Sequence, residues 1–399
     1  MGGMRNLFGF LIVAVLVFAC GPNLHGPQPA TGQKLYEAIG QSILVIDSNN
    51  HSVERRLPLG TPSGDWTHLY SMLGDSLLDT DPLTGVTQNT VRIGPGYQLP
   101  PATSTGLPGG LSPAGYWLVL QASDASATHM AVVNTASFKV TDQFDLSGRF
   151  NFDAISDDGQ RLYLIQYLDG KEYYVRLFDI PGNYLDANIV VDKSDGNQAM
   201  AGLRLSGIAA PDGSMLFSMY VRESESPFIH ALNLTGPFAF CLDLPGNGYT
   251  QDRAAMRWSL AMSHDGSRLY AINGATGVVA ELDSSNQFSP QILRTTHLNT
   301  GSSTTSDADT AVLSLDGKTL ITASNAGIVL VDTKSLQVRV QALTEWRVSS
   351  MALSPDGKTL FVVSDTGQVA EVSMASGAAI ARFDPGMGNP TALMRVSPS

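Results

Sequence analysis

Cysteine is scarce in this chain of 399 residues: there are two, Cys20 and Cys241. Two thiols cannot build a disulfide framework, and no paired-cysteine spacing suited to a metal occurs. Charge is sparse too, at 15% of residues, with 24 lysines and arginines against 36 acids and a net charge of −12. That balance excludes broad electrostatic attraction to nucleic acid or anionic lipid. The chain lacks His-Glu-x-x-His, Gly-x-Ser-x-Gly and a glycine-rich phosphate loop leading into a helix, so these common catalytic signatures are missing. Its seven histidines are scattered. What is present is turn chemistry. The 39 glycines and 21 prolines, among 43% apolar residues, suit short strands and many turns better than a helical bundle.

The most specific local signal lies at the N-terminus. One charge, Arg5, precedes an apolar run from Leu7 to Phe18, followed by Ala19-Cys20-Gly21. The run is short for a membrane span and fits the apolar region of a signal peptide. Val17-Phe18-Ala19-Cys20 resembles the bacterial lipobox, although Phe18 departs from the small or branched residue usual there and Leu16 lies one place early. The resemblance implies cleavage after residue 19, a lipid on Cys20 and anchorage in the cell envelope. Gly21 after the cysteine favours the outer membrane. The other reading is an ordinary secretory signal with a chance cysteine. Residues 20–32 then form the anchor and a Pro/Gly-rich tether, ahead of a single folded domain over 33–399. Cys241, in Phe238-Ala239-Phe240-Cys241-Leu242, reads as a small hydrophobe in a strand.

Internal repetition decides the expected fold. Ala352-Leu353-Ser354-Pro355-Asp356-Gly357 has counterparts ending at Gly159, Gly213, Gly266 and Gly317, each leading into a strand such as Arg161-Leu162-Tyr163 or Thr359-Leu360-Phe361. Degenerate copies occur at Pro62–Trp66 and Ser112–Trp117. Asp-Gly supplies a residue tolerant of positive φ, which marks a hairpin. The flanking strands read as alternating and half-buried. A second pattern follows, a strand closed by Asp or Asn, as in Ile328-Val329-Leu330-Val331-Asp332 and Leu44-Val45-Ile46-Asp47. Two hairpins make four antiparallel strands, one propeller blade.

Ser354-Pro355-Asp356-Gly357-Lys358-Thr359-Leu360-Phe361-Val362, followed by strands ending in Asp-Thr, resembles the YVTN-type and WD40-like propeller repeats of secreted bacterial proteins. The resemblance covers roughly residues 33–399 and implies an all-β propeller, with little to say about function. Counting second strands from Leu35-Tyr36 to Leu360-Phe361 gives eight blades, with seven as the alternative because the first two copies are weak. The chain starts on a second strand and ends, at Thr391–Pro398, on a first. Pairing the two closes the ring and removes its exposed edges.

Loops between strands two and three, and between blades, share one face. The long segments 94–110, 191–203, 244–257 and 293–310 all lie there, as expected of a binding surface on a rigid scaffold. Arg149, Arg204, Arg257 and Arg347 recur just before first strands, with Trp258 and Trp346 beside two of them. They form a candidate anion site for carboxylate or phosphate near the channel mouth, or they pair with acids such as Asp252, Asp307 and Asp309. His68 and His297 are candidates to face the channel, and Ser306–Asp309 is a conceivable Ca²⁺ contact or a solvated loop. No catalytic set, metal site or cofactor is implied. The expected function is a monomeric, membrane-anchored binding or scaffold module for a protein, peptide or glycan. The alternative is a propeller enzyme, lactonase- or dehydrogenase-like, with its site at the channel mouth.

Overall fold

The computed structural model describes residues 32–102, 106–168, 171–191, 198–300 and 309–398. The recurring turn closes with the same glycine amide to carbonyl bond at each copy, and where a serine opens it the hydroxyl joins in. In the last one, Ser354 Oγ donates to Asp356 Oδ1 (2.6 Å), the same carboxylate oxygen accepts the Lys358 amide (3.1 Å), and the Gly357 amide donates to the Ser354 carbonyl (2.8 Å). Gly357 sits at φ +68°, where a Cβ would be strained. Ser263 with Asp265 and Ser314 with Asp316 repeat the hydroxyl–carboxylate contact at 2.6 and 2.7 Å. These bonds hold Asp265, Asp316 and Asp356 below the ordinary aspartate pKa, to about 2 for Asp265.

The hairpins assemble into eight antiparallel sheets, so the count of eight blades holds against seven. Blade 1 joins Gln33–Ile39, Ser42–Asp47 and Ser52–Pro58 to the C-terminal strand Ala392–Pro398, which supplies its innermost position. Blades 2 to 8 follow in chain order over 61–92, 111–147, 150–190, 203–243, 258–297, 311–342 and 348–383. The degenerate repeats are also the irregular blades. In blade 2 the innermost strand is only Thr61–Pro62. In blade 3 its place is taken by isolated bridges to Trp117–Ser123, Leu111 to Leu118 and Gln98 to Gln121.

The core explains why the ring is closed. The described residues contain eight buried clusters, and each fills one gap between neighbouring blades. An open row of eight sheets has seven gaps. The eighth gap joins Phe361, Val363 and Val369 of blade 8 to Leu35, Leu44 and Val396 of blade 1. Successive side chains of one strand serve opposite gaps: Leu162 and Leu164 face blade 3, while Tyr163 and Ile165 face blade 5. The second and third strands are therefore buried on both faces, as in Thr359–Ser364 and Val369–Ser373. This corrects the expectation of half-buried strands around each turn. Only the outermost strands alternate with solvent, as in Gln337–Ala342. A sheet sandwiched between two others has no wet face, so its inner strands carry continuous apolar runs.

Two long segments are more structured than expected. In 191–203, Met200–Ala201 adds a short strand to Glu172–Asp179, and the innermost strand of blade 5 already begins at Leu203. In 293–310, the outermost strand of blade 6, Gln291–His297, occupies the first five positions.

Candidate functional site

The four arginines stand in or just before the innermost strands of four different blades, so they do not form one cluster. Arg347 of blade 8 sits 3.3 Å from Asp365, with both side chains about half exposed. Arg257 follows the short 3-10 helix Arg253–Met256, whose N-terminus is capped by Asp252 accepting the Ala254 amide. Trp258 and Trp346 are core residues: Trp258 is buried between blades 5 and 6, and Trp346 between blades 7 and 8 with the Arg382 guanidinium 5.5 Å from its ring. Neither indole presents a free face to the channel.

Arg149 stands beside Tyr167, and Arg204 lines a pocket. Its volume is about 370 Å³, and it opens between blades 4 and 5. Three of the long interblade segments line it: Pro101 and Ala102 from the first, Gly202 and Leu203 from the second, Met256 from the third. The walls are aromatic, from Phe152, Tyr167, Tyr173 and Tyr220. Burial raises the phenol pKa of Tyr173 and Tyr220, with their mutual proximity adding to it for Tyr173, so both hydroxyls stay neutral.

Two β-bulges set the inner end. The register slips at Asp153 in the innermost strand of blade 4 and at Leu205 in that of blade 5. Bulges re-aim side chains, and here Asp153 and Arg204 are aimed at each other, Arg204 Nη1 standing 2.8 Å from Asp153 Oδ1. The guanidinium lies over Gly207, where an added Cβ would come within 2.6 Å of Nη2. Arg204 Nε and Asp153 Oδ2 are buried and have no protein partner. They border a smaller void of about 150 Å³ that shares Pro101, Ala102, Phe152 and Arg204 with the main pocket. Tyr167 of the pocket wall accepts from Asn151 Nδ2 at its Oη (3.0 Å), and its ring centroid lies 5.6 Å from the Arg149 guanidinium. Asn151 is itself held by Gln121 Nε2 at 3.0 Å.

The repeat offset singled out Arg149 and Arg204 in the sequence, and of these Arg204 lines the pocket. Sequence reasoning missed Asp153, Asn151 and the tyrosines, which no motif marks and which only blade packing brings together. It also misplaced two histidines. His68 belongs to the turn between the first and second strands of blade 2, on the face opposite the long segments, where Nδ1 is 2.9 Å from Asp79. His297 ends the outermost strand of blade 6, exposed and away from the channel. Cys241 is half-buried against the blade 4–5 core. Cys20, the apolar run before it and Asp307 lie outside the described residues. Among the described residues, no three His, Cys, Asp or Glu side chains group as a metal site would require.

No family model matches the sequence, and no curated relative matches it. Solved structures do resemble it. The dihydro-heme d1 dehydrogenase NirN, in complex with DHE, is 13% identical over 92% of this chain and 75% of its own, with a TM-score of 0.56. Hydrazine synthase from Kuenenia stuttgartiensis is 15% identical over 74% of this chain and 90% of its own (TM-score 0.43). A functionally unknown protein from Desulfotomaculum acetoxidans is 12% identical over 83% and 99% (TM-score 0.45). At these identities the likeness concerns the propeller fold alone.

Proposed function

We propose that this protein is an exported, lipid-anchored β-propeller of the YVTN/WD40-like kind that serves the cell envelope as a binding module. Its ligand, a protein, peptide or glycan, enters the pocket between blades 4 and 5. One observation carries the binding reading: three long segments, far apart in sequence, converge on a single aromatic-walled pocket. Its volume falls within the range of small-ligand sites, roughly 300–1,000 Å³, which suits a small molecule or one unit of a larger chain. The exported, anchored state is supported by the apolar run from Leu7 to Phe18 and by Cys20.

The test is a thermal-shift screen of peptides and oligosaccharides against three forms of the full chain. Leu203→Trp fills the pocket from an exposed position. Leu315→Trp alters an equally exposed residue in a turn on the opposite face. Compounds that stabilise the wild type and Leu315→Trp but not Leu203→Trp support the reading. Hits that survive Leu203→Trp, or the absence of any, refute it. For the anchor, labelled palmitate should be incorporated by cells making the wild type and not by those making Cys20→Ser.

A further inference from the structure

We propose that the face carrying the recurring turns rests on the membrane that holds the lipid, and that the face with the long segments and the pocket is turned away from it. This rests on the anchored reading and adds the direction in which the anchored domain points.

The place where the chain enters the ring carries the argument. The strands of each blade are antiparallel, so turns between first and second strands and between third and fourth strands share the face opposite the long segments. Blade 1 begins on a second strand, Gln33–Ile39, and its first residue therefore stands at a turn end. Gln33 pairs with Pro398, where the closing strand also ends. The entry is fastened to the turn between the third and fourth strands of blade 1. The Gly32 amide donates to Asn49 Oδ1 at 3.0 Å, and the Gln33 carbonyl accepts the Ser48 amide at 3.0 Å.

Distance decides which face meets the bilayer. A stretch as long as Cys20 to Gly32 reaches about 40 Å at full extension and roughly 20 Å on average as a coil. Gln33–Ile39 has 7 residues, about 23 Å of blade height. To bring the long segments to the bilayer, the chain would first cross two strand spacings to the rim, about 10 Å, and then the whole height of the blade. That path exceeds the average reach before any loop is passed, and holding a coil stretched costs entropy. With the turn face toward the bilayer no detour is needed.

The surface of that face fits a flat partner. Exposed Leu83, Val86, Tyr116, Tyr184, Phe288 and Leu315 all sit in or beside its turns, spread over blades 2, 3, 4, 6 and 7. Single exposed apolar residues are ordinary on a protein surface. These share the face at which Gly32 enters the ring, and their spread around the ring suits an extended surface better than a small ligand. Aromatic side chains favour headgroup depth, where one end is apolar and the other wet. Asp65, Asp265, Asp316 and Asp356 of the same turns are held below the ordinary aspartate pKa by hydroxyl and amide hydrogen bonds, so they keep their charge. The partner is therefore a zwitterionic lipid surface, met by the anchor and the apolar tips.

The experiment uses the full lipidated chain with Cys241→Ser, so that one cysteine can carry a fluorophore at Val86→Cys, Leu315→Cys or Leu203→Cys. Each form is reconstituted in phosphatidylcholine vesicles, with and without lipid bearing a nitroxide quencher on its headgroup. Val86→Cys and Leu315→Cys, on blades 2 and 7 of the turn face, should be quenched severalfold more than Leu203→Cys among the long segments. Equal quenching at the three sites, or the strongest quenching at Leu203→Cys, overturns the proposal. Chains that float with the vesicles and are quenched at none of the sites overturn it too, and leave the anchored reading standing. Chains that do not float with the vesicles overturn the anchored reading, and the orientation falls with it.

Discussion

Arg204 and Asp153 form an ion pair, Nη1 to Oδ1 at 2.8 Å, that crosses from the innermost strand of blade 5 to that of blade 4. The contact ties two blades together at the wall of the pocket. It also moves Arg204 out of the class of solvent-facing arginines, because its charge is already answered inside the protein.

Breaking this pair should be costly in a way that breaking a surface pair is not. Arg204→Met leaves the Asp153 carboxylate buried without a cation, and the expected loss is about 3–5 kcal/mol. Adding Asp153→Leu should recover most of it. Arg347→Met removes the half-exposed contact with Asp365, and should cost less than about 1 kcal/mol. Urea unfolding of the three variants and the wild type measures these differences, and equal losses for Arg204→Met and Arg347→Met would refute the argument.

Glu37 should make stability fall as pH rises. It is fully buried in blade 1, where burial raises its carboxyl well above the ordinary range, against the opposing hydrogen bonds from Ser350 and the Ala392 and Thr391 amides. The folded state therefore holds a proton that the unfolded chain releases near pH 4.3. That contribution is complete below pH 4.3 and is lost as pH climbs through the raised folded value. Glu37→Gln should raise Tm by several degrees at pH 8 and by little at pH 4. A gain independent of pH would show that Glu37 is not protonated in the fold.

Two turn glycines separate backbone strain from packing. Gly159 and Gly317 have nearly the same backbone, φ +68° and +69°. A Cβ at Gly317 meets nothing within 4 Å, whereas at Gly159 it would lie 2.3 Å from Cε2 of Trp117, whose Nε1 donates to the Asp157 carbonyl at 3.1 Å. Gly317→Ala should cost about 1–2 kcal/mol, the strain of a left-handed alanine. Gly159→Ala adds displacement of the indole, about 1–3 kcal/mol more. Urea unfolding compares the two directly, and equal costs would mean the Trp117 contact is unimportant.

Ring closure should be indispensable. Removing residues 391–399 takes away the innermost strand of blade 1 and bares the edge of Gln33–Ile39, together with the apolar faces that meet Leu393 and Val396. An unpaired edge beside exposed apolar surface invites association. The truncated chain should elute as oligomers in size-exclusion chromatography and lose its cooperative melt. A monomer with an unchanged Tm would show that the ring does not depend on this strand.

By itself the sequence determined the all-β class and the closure of the ring and favoured eight blades over seven, because each turn must place glycine at positive φ between two short apolar strands. Those demands recur locally, and repetition makes them visible. It also singled out the face with the long segments, and a set of arginines of which Arg204 lines a pocket there. Only the tertiary structure decided what those arginines do. Asp153 lies 51 residues before Arg204, and nothing near either residue announces the other. Their meeting depends on two bulges and on the angle between adjacent blades, which are properties of packed sheets and leave no periodic trace in the chain. For the same reason Trp258 and Trp346 read as channel residues in the sequence and are core in the fold. The position along a strand tells which end of a blade a residue occupies, but the side it faces is set by the neighbouring blade.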